Sequence, residues 1–251
     1  MVRPSSLQID KLLIAGVFLA ALGLTQFLIF VTSAMNHYPG GTSADTQTIG
    51  YSWSDNWLSD LGRIKAINGA DNATSSRFFN ASIIALGLSL LAFFLVSIRA
   101  FEEQTIGSLS TTLSGSLTSL GLIGIGLTPV DVCYGWHMTS LMLWIVPMLC
   151  VGVLFSYQCF SGEGWFGWVI GIATAILFCG VFVYALSTAT TGVMAMQKIV
   201  VLQSIVWFTL LSARVAAAAL YVVQQTRTRM QIANEQAGDY MVKLQRQHRK
   251  K

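Results

Sequence analysis

The sequence predicts an all-α fold: a polytopic membrane bundle of six transmembrane helices, N-in and C-in, with a long first outer loop. Three observations carry the prediction. Charged residues make up 10% of the 251 and apolar residues 54%, with a mean hydropathy of +0.62, against about 25% charged in an average soluble domain. Six apolar runs of span length follow one another along the chain. A backbone immersed in lipid must satisfy its own hydrogen bonds, which selects helices. So little charge cannot cover a soluble surface, which sets aside a soluble enzyme, a disordered chain and a nucleic-acid-binding domain.

The first span covers about 12–35. Arg3 and Lys11, the apolar run and Thr32-Ser33-Ala34 imitate a signal peptide, but 24 residues pass without a charge, well beyond an h-region of about 7–15. A retained span is expected. An outer loop of some forty residues, 36–77, comes next, with Tyr51, Trp53, Trp57 and several aspartates. Loops this long are more often functional or disordered than merely connecting, and part of this one is expected to fold over the outer mouth of the bundle. The second span is about 78–98. The third, about 106–128, is rich in small and hydroxyl residues, with Ser108, Thr111, Thr112, Gly115, Thr118 and Ser119 on one helical face. That face suits close helix packing; a polar path along it is the other reading.

The fourth span, about 138–158, contains Pro147, and the fifth is about 166–187. The sixth, about 199–222, carries Arg214, which either snorkels to headgroups or serves a function. These spans make one domain, 1–224, followed by a basic tail, 225–251, that lies on an anionic leaflet or stays solvated. With N-in and C-in, the inner segments hold ten cations (Arg3, Lys11, Arg99 and seven in the tail) and the outer loops four (Arg63, Lys65, Arg77 and Lys198), as the positive-inside rule expects. Cys133, Cys150, Cys159 and Cys179 form no CxxC, so neither a disulfide framework nor a zinc cluster is read. Asn72-Ala-Thr and Asn80-Ala-Ser match the glycosylation sequon; Asn80 lies too near the membrane, which leaves Asn72.

The polar residues gather toward the outer face. His37 ends the first span, Asn80 opens the second, Asp131 follows Pro129 between spans three and four, and His137 opens the fourth with Ser140 and Trp144 below it on one face. The loop adds Ser59 and Asp60, and Lys198 stands at the outer end of span six. A histidine oriented by a carboxylate acts as a general base near neutral pH. His137 is therefore the candidate catalytic residue, with Asp131 or Asp60 to orient it. Ser59, Asn80, His37, Ser140 and Lys198 are candidate ligand-binding residues. Each histidine also has a structural reading as a cap or interfacial group, and Asp131 reads equally as a loop acid or the N-cap of span four. His nitrogen and Asp oxygen suit a divalent metal, but no HxxxH or HExxH occurs, and no metal site or cofactor is assigned.

Tyr51-Ser52, the run Asp55-Asn56-Trp57-Leu58-Ser59-Asp60-Leu61-Gly62, Phe79-Asn80 and Gly87 resemble the prokaryotic membrane family called domain of unknown function 998. Gly126-Leu127-Thr128-Pro129-Val130-Asp131 followed by His137 also resembles that pattern. More distantly, the Ser-Asp-x-Gly loop and the histidine opening span four resemble the FRAG/DRAM-type six-span proteins, members of which are linked to lipid remodelling and autophagy. The stretch 63–77 is longer than that pattern usually has. The resemblance implies a six-span fold in the plasma (inner) membrane of a prokaryote and supplies no reaction. Three functions follow as expectations: a protein binding a lipid or lipid-linked ligand, an enzyme doing His/Asp acid–base chemistry on a lipid, and a small-solute transporter.

Overall fold

The computed structural model describes residues 5–98, 106–160, 164–187 and 193–248. Arg3, Arg99 and residues 249–251, five of the fourteen cations in the orientation argument, lie outside them. Six α-helices follow the apolar runs: α1 Ser5–His37, α2 Ala73–Ser97, α3 Ile106–Leu127, α4 Tyr134–Phe160, α5 Gly164–Ser187 and α6 Val193–His248. A single 3-10 turn, Leu58–Gly62, interrupts the long loop, and no strand longer than an isolated bridge occurs among the described residues. Five helices are long and apolar enough to cross a membrane: those containing Lys11–His37, Ala73–Ser97, Tyr134–Gln158, Gly167–Ser187 and Val193–Leu220. The chain is a multi-pass integral membrane protein. Helix α3 is not among these five because serine, threonine and glycine dilute its leucines and isoleucines.

Each helix packs on its neighbours in sequence, and α1 packs on α6, so the six close into a ring in chain order. Large side chains from several helices fill its interior, among them Phe93 and Phe94 of α2, Met148 and Phe155 of α4 and Trp207 of α6. The small residues of α3 set how near its neighbours come. A side-chain carbon on Gly121 would run into the α4 backbone at Leu143 and Trp144, and one on Gly126 would meet the α2 carbonyl of Asn80. The α3 hydroxyls turn back on their own helix: Thr111, Ser116, Thr118 and Ser119 each donate to the carbonyl four residues earlier. Helix α4 runs on through Pro147 without ending.

Two boundaries differ from the sequence expectation. Helix α2 begins at Ala73, five residues before the predicted 78, so the loop closes earlier. Its first turns are polar (Ser75, Ser76, Asn80), which hides the start from a hydropathy reading, yet those groups bond the loop. The basic tail is not a separate element: α6 continues unbroken to His248, since no proline or helix-ending glycine motif interrupts its good helix formers.

Candidate functional site at the loop end of the bundle

The loop folds as a plug fastened to α2, to α6 and to the turn between α3 and α4. Asn56 is its organising residue, fully buried. Its Nδ2 donates to the Gly41 carbonyl (2.8 Å) and to Asp60 Oδ2 (3.2 Å), and its Oδ1 accepts the Ser52 amide (2.9 Å). Gly41 sits at φ +86°, where a side-chain carbon would also strike the Asn68 backbone. Toward α2, Ser75 donates to the Leu61 carbonyl, while Ser76 and Asn80 donate to that of Gly62. The Asn72 amide donates to the carbonyls of Leu61 and Arg63. Asn72 is thus buried, which removes it as a glycosylation acceptor. Toward α6, Gln197 Oε1 accepts the Leu58 amide (2.8 Å), and Lys198 Nζ donates to the Asn56 and Met194 carbonyls. The Lys198 ammonium is 2% exposed and lies 5.4 Å and 5.6 Å from the ring centres of Tyr51 and Trp53. Backbone carbonyls and π faces replace its water.

Asp131 does something other than orient His137. Its two oxygens accept the Ile64 and Lys65 amides at 3.1 and 3.0 Å, tying the turn between α3 and α4 to the loop. His137 is oriented instead by a backbone group: its Nδ1 bonds the Thr128 carbonyl at 2.7 Å. That carbonyl is free because α3 ends at Leu127 and Pro129 follows. A carbonyl only accepts, so Nδ1 carries the proton and Nε2 presents a lone pair. Nε2 is buried with no partner, so Asp60 does not bond the imidazole either. Asp60 Oδ2 accepts the Trp57 amide (2.8 Å) and the Asn56 side chain, and Oδ1 lies 3.9 Å from the Arg63 guanidinium. Burial pushes its carboxyl above the ordinary range, against the pull of those hydrogen bonds and of Arg63 and Lys198.

Beneath the plug, two cavities share a wall of Ser59, His137, Leu141 and Gln197. The wider one, about 440 Å³, is bounded further by Trp57, Asp60, Arg63, Tyr134 and Tyr184. The narrower one, about 50 Å³, reaches into the ring between Phe27, Phe79, Trp144 and Phe208. Trp144 lies seven residues below His137 on the same face, and its Nε1–H is also buried without a partner.

The sequence candidates therefore divide. Ser59, Asp60 and His137 come together on one cavity wall. Asn80 and Lys198 anchor the loop, as does Asp131. His37 is exposed, with Nδ1 on the Ser33 carbonyl at the end of α1. Ser140 donates to the Trp136 carbonyl and packs on Gly124 of α3. Among the described residues no group of three His, Cys, Asp or Glu is placed to hold a metal ion. Gln197, Arg63, Tyr134 and Tyr184 were not singled out from sequence. Gln197 alone had a signal, as a lone amide closing a long charge-free stretch.

Comparison with protein-family models, with curated proteins and with solved structures yields no match. The wider cavity has polar and aromatic groups in a largely apolar wall, the narrower is almost wholly apolar, and His137, whose buried Nε2 has no partner, belongs to both walls.

Proposed function

We propose that the chain is a six-span, N-in and C-in protein of a prokaryotic plasma membrane, of the kind resembled by domain of unknown function 998, and that it binds a lipid or lipid-linked ligand under its outer plug. The 22 residues of α3 extend about 33 Å at 1.5 Å per residue, enough for a hydrocarbon core of about 30 Å, and its place in the ring supports a sixth crossing. The observation that carries the ligand reading is the pair of cavities that share Ser59, His137, Leu141 and Gln197 in their walls. A wide chamber with polar groups in its wall, set against a narrow and almost wholly apolar one, suits an amphiphile whose head lies in the wide chamber.

The test is the lipid retained by protein purified in mild detergent, identified by mass spectrometry. Leu141 borders both chambers. Wild-type protein is expected to retain one lipid class far above its share of the membrane, and Leu141→Trp to lose it while remaining folded. Retention that mirrors bulk membrane composition in both proteins would sink the reading.

A second reading has its own observation. The fixed tautomer of His137 leaves a basic nitrogen without a partner on a residue of the wall that Ser59 shares, and a general base requires such an uncommitted nitrogen. On this reading His137→Gln abolishes conversion of the retained lipid without releasing it. Equal conversion by wild type and variant would dismiss it.

A further inference from the structure

The two unpartnered nitrogens define what the ligand must offer, and they ask for opposite things. His137 Nε2 is a bare acceptor, because Nδ1–H is committed to the Thr128 carbonyl. Trp144 Nε1 is a donor only. Both side chains border the narrow cavity and both are more than nine-tenths buried. Leaving such groups unpaired costs free energy that a matching ligand atom would recover. Their α carbons stand about 10 Å apart along the helix axis, two turns at 1.5 Å per residue, with His137 nearer the mouth. A ligand that satisfies both carries a hydroxyl near its head and a carbonyl acceptor farther down its stem. Of the charges that border the wide chamber, Asp60 and Arg63 face each other at 3.9 Å. Lys198 does not border that chamber, being committed to the loop. Among the described residues Arg63 is the one cation that borders that chamber, and it is held against Asp60, so a phosphate in the head would compete with that carboxyl for it.

Building on the lipid-binding reading, we infer that the ligand is a neutral, hydroxyl-headed acyl lipid: its hydroxyl donates to His137 Nε2 and its ester or amide carbonyl accepts from Trp144 Nε1–H. The ether analogue, which has no carbonyl, leaves the indole unpaired. A simple acyl ester without a hydroxyl leaves the imidazole unpaired. A phosphorylated head brings a charge that only Arg63, already set against Asp60, could meet.

The experiment measures binding to the full chain in mild detergent by native mass spectrometry, with four probes: mono-oleoylglycerol, its mono-oleyl ether, methyl oleate and oleoyl lysophosphatidate. Mono-oleoylglycerol is expected to bind about tenfold more tightly than either the ether or methyl oleate, the size of one recovered buried hydrogen bond, and no less tightly than the lysophosphatidate. In Trp144→Phe the ester–ether difference disappears, and a cooperative melting transition in detergent shows that the variant is folded. Equal binding of ester and ether by wild type, or preference for the lysophosphatidate, overturns this inference and leaves lipid binding standing. Failure of all four probes to bind overturns lipid binding itself.

Discussion

The first four helices and the last two are joined by different means. Between α2, α3 and α4 the backbones come within reach of one another because glycines stand where they cross, Gly121 against α4 and Gly126 against α2. Helices α5 and α6 meet the rest mainly through side chains. Trp207 of α6 donates to Thr174 of α5, which accepts from Ser156 of α4 as well, and Gln197 and Lys198 reach up to the loop. Backbone-to-backbone packing leaves no space, whereas side-chain joints leave gaps whose walls can be polar. Both cavities have His137 and Leu141 of α4 and Gln197 of α6 in their walls, and the narrow one is closed on its other sides by α1, α2 and α3. The tightly packed helices thus serve as its back wall and α6 as its side-chain face.

The contrast breaks most visibly at Gly121. Gly121→Leu drives a branched side chain into the α4 backbone and is expected to cost about 3 kcal/mol or more, read as a large drop in thermal stability in detergent. A melting temperature within a degree of wild type would mean that α3 and α4 can part freely. Lys198→Met addresses the other half. It removes the donor to the Asn56 carbonyl and is expected to cost about 1–2 kcal/mol, with faster amide exchange in 52–63 and unchanged exchange in α2 and α3. Slower or equal exchange in the loop would deny Lys198 its anchoring part.

Asp131→Ala is a smaller change, about 1 kcal/mol, because the freed Ile64 and Lys65 amides lie at exposed residues that water can reach. Its sharper consequence is what stays the same: retained lipid is expected to match wild type, since the carboxylate does not touch His137. Loss of lipid in this variant would return Asp131 to the site. The smallest expected effect concerns pH. Asp60 has a folded pKa raised by burial, so the folded state holds its proton to higher pH than the unfolded chain does. Its contribution to stability is present below the ordinary carboxylate range and is lost as pH rises through the raised value. Comparing melting temperatures across pH 4–8, wild type is expected to show a downward component that Asp60→Asn lacks. Parallel curves would contradict it.

The helices were legible because each follows a run of span length that is free of charge, but for Arg214 in the sixth, and lipid leaves such a run one conformation. The loop was legible only as a concentration of chemistry. His137 and Asp60 could be singled out, but the partner of each depended on a fold that no spacing reveals. Six residues separate Asp131 from His137, and a turn could have brought them together; here the turn instead hands the carboxylate to the loop amides. The group that does orient His137 is the Thr128 carbonyl, which every residue possesses and no side-chain pattern announces. Gln197 was obscured for a related reason. An amide at a helix start reads as a boundary residue until its oxygen is found holding the Leu58 amide 139 positions away.

Helix α6 has 56 residues, yet its apolar stretch ends at Leu220. The 28 residues from there to His248 extend about 42 Å at 1.5 Å per residue, and those with described side chains, such as Met230 and Ile232, are largely exposed. The segment is therefore a yardstick. It sets Lys243 and Arg246 at a fixed axial distance, about 35 Å or more, from the last apolar turn. Shortening the segment by whole turns would draw the end of the helix toward the last apolar turn in steps of about 5.4 Å.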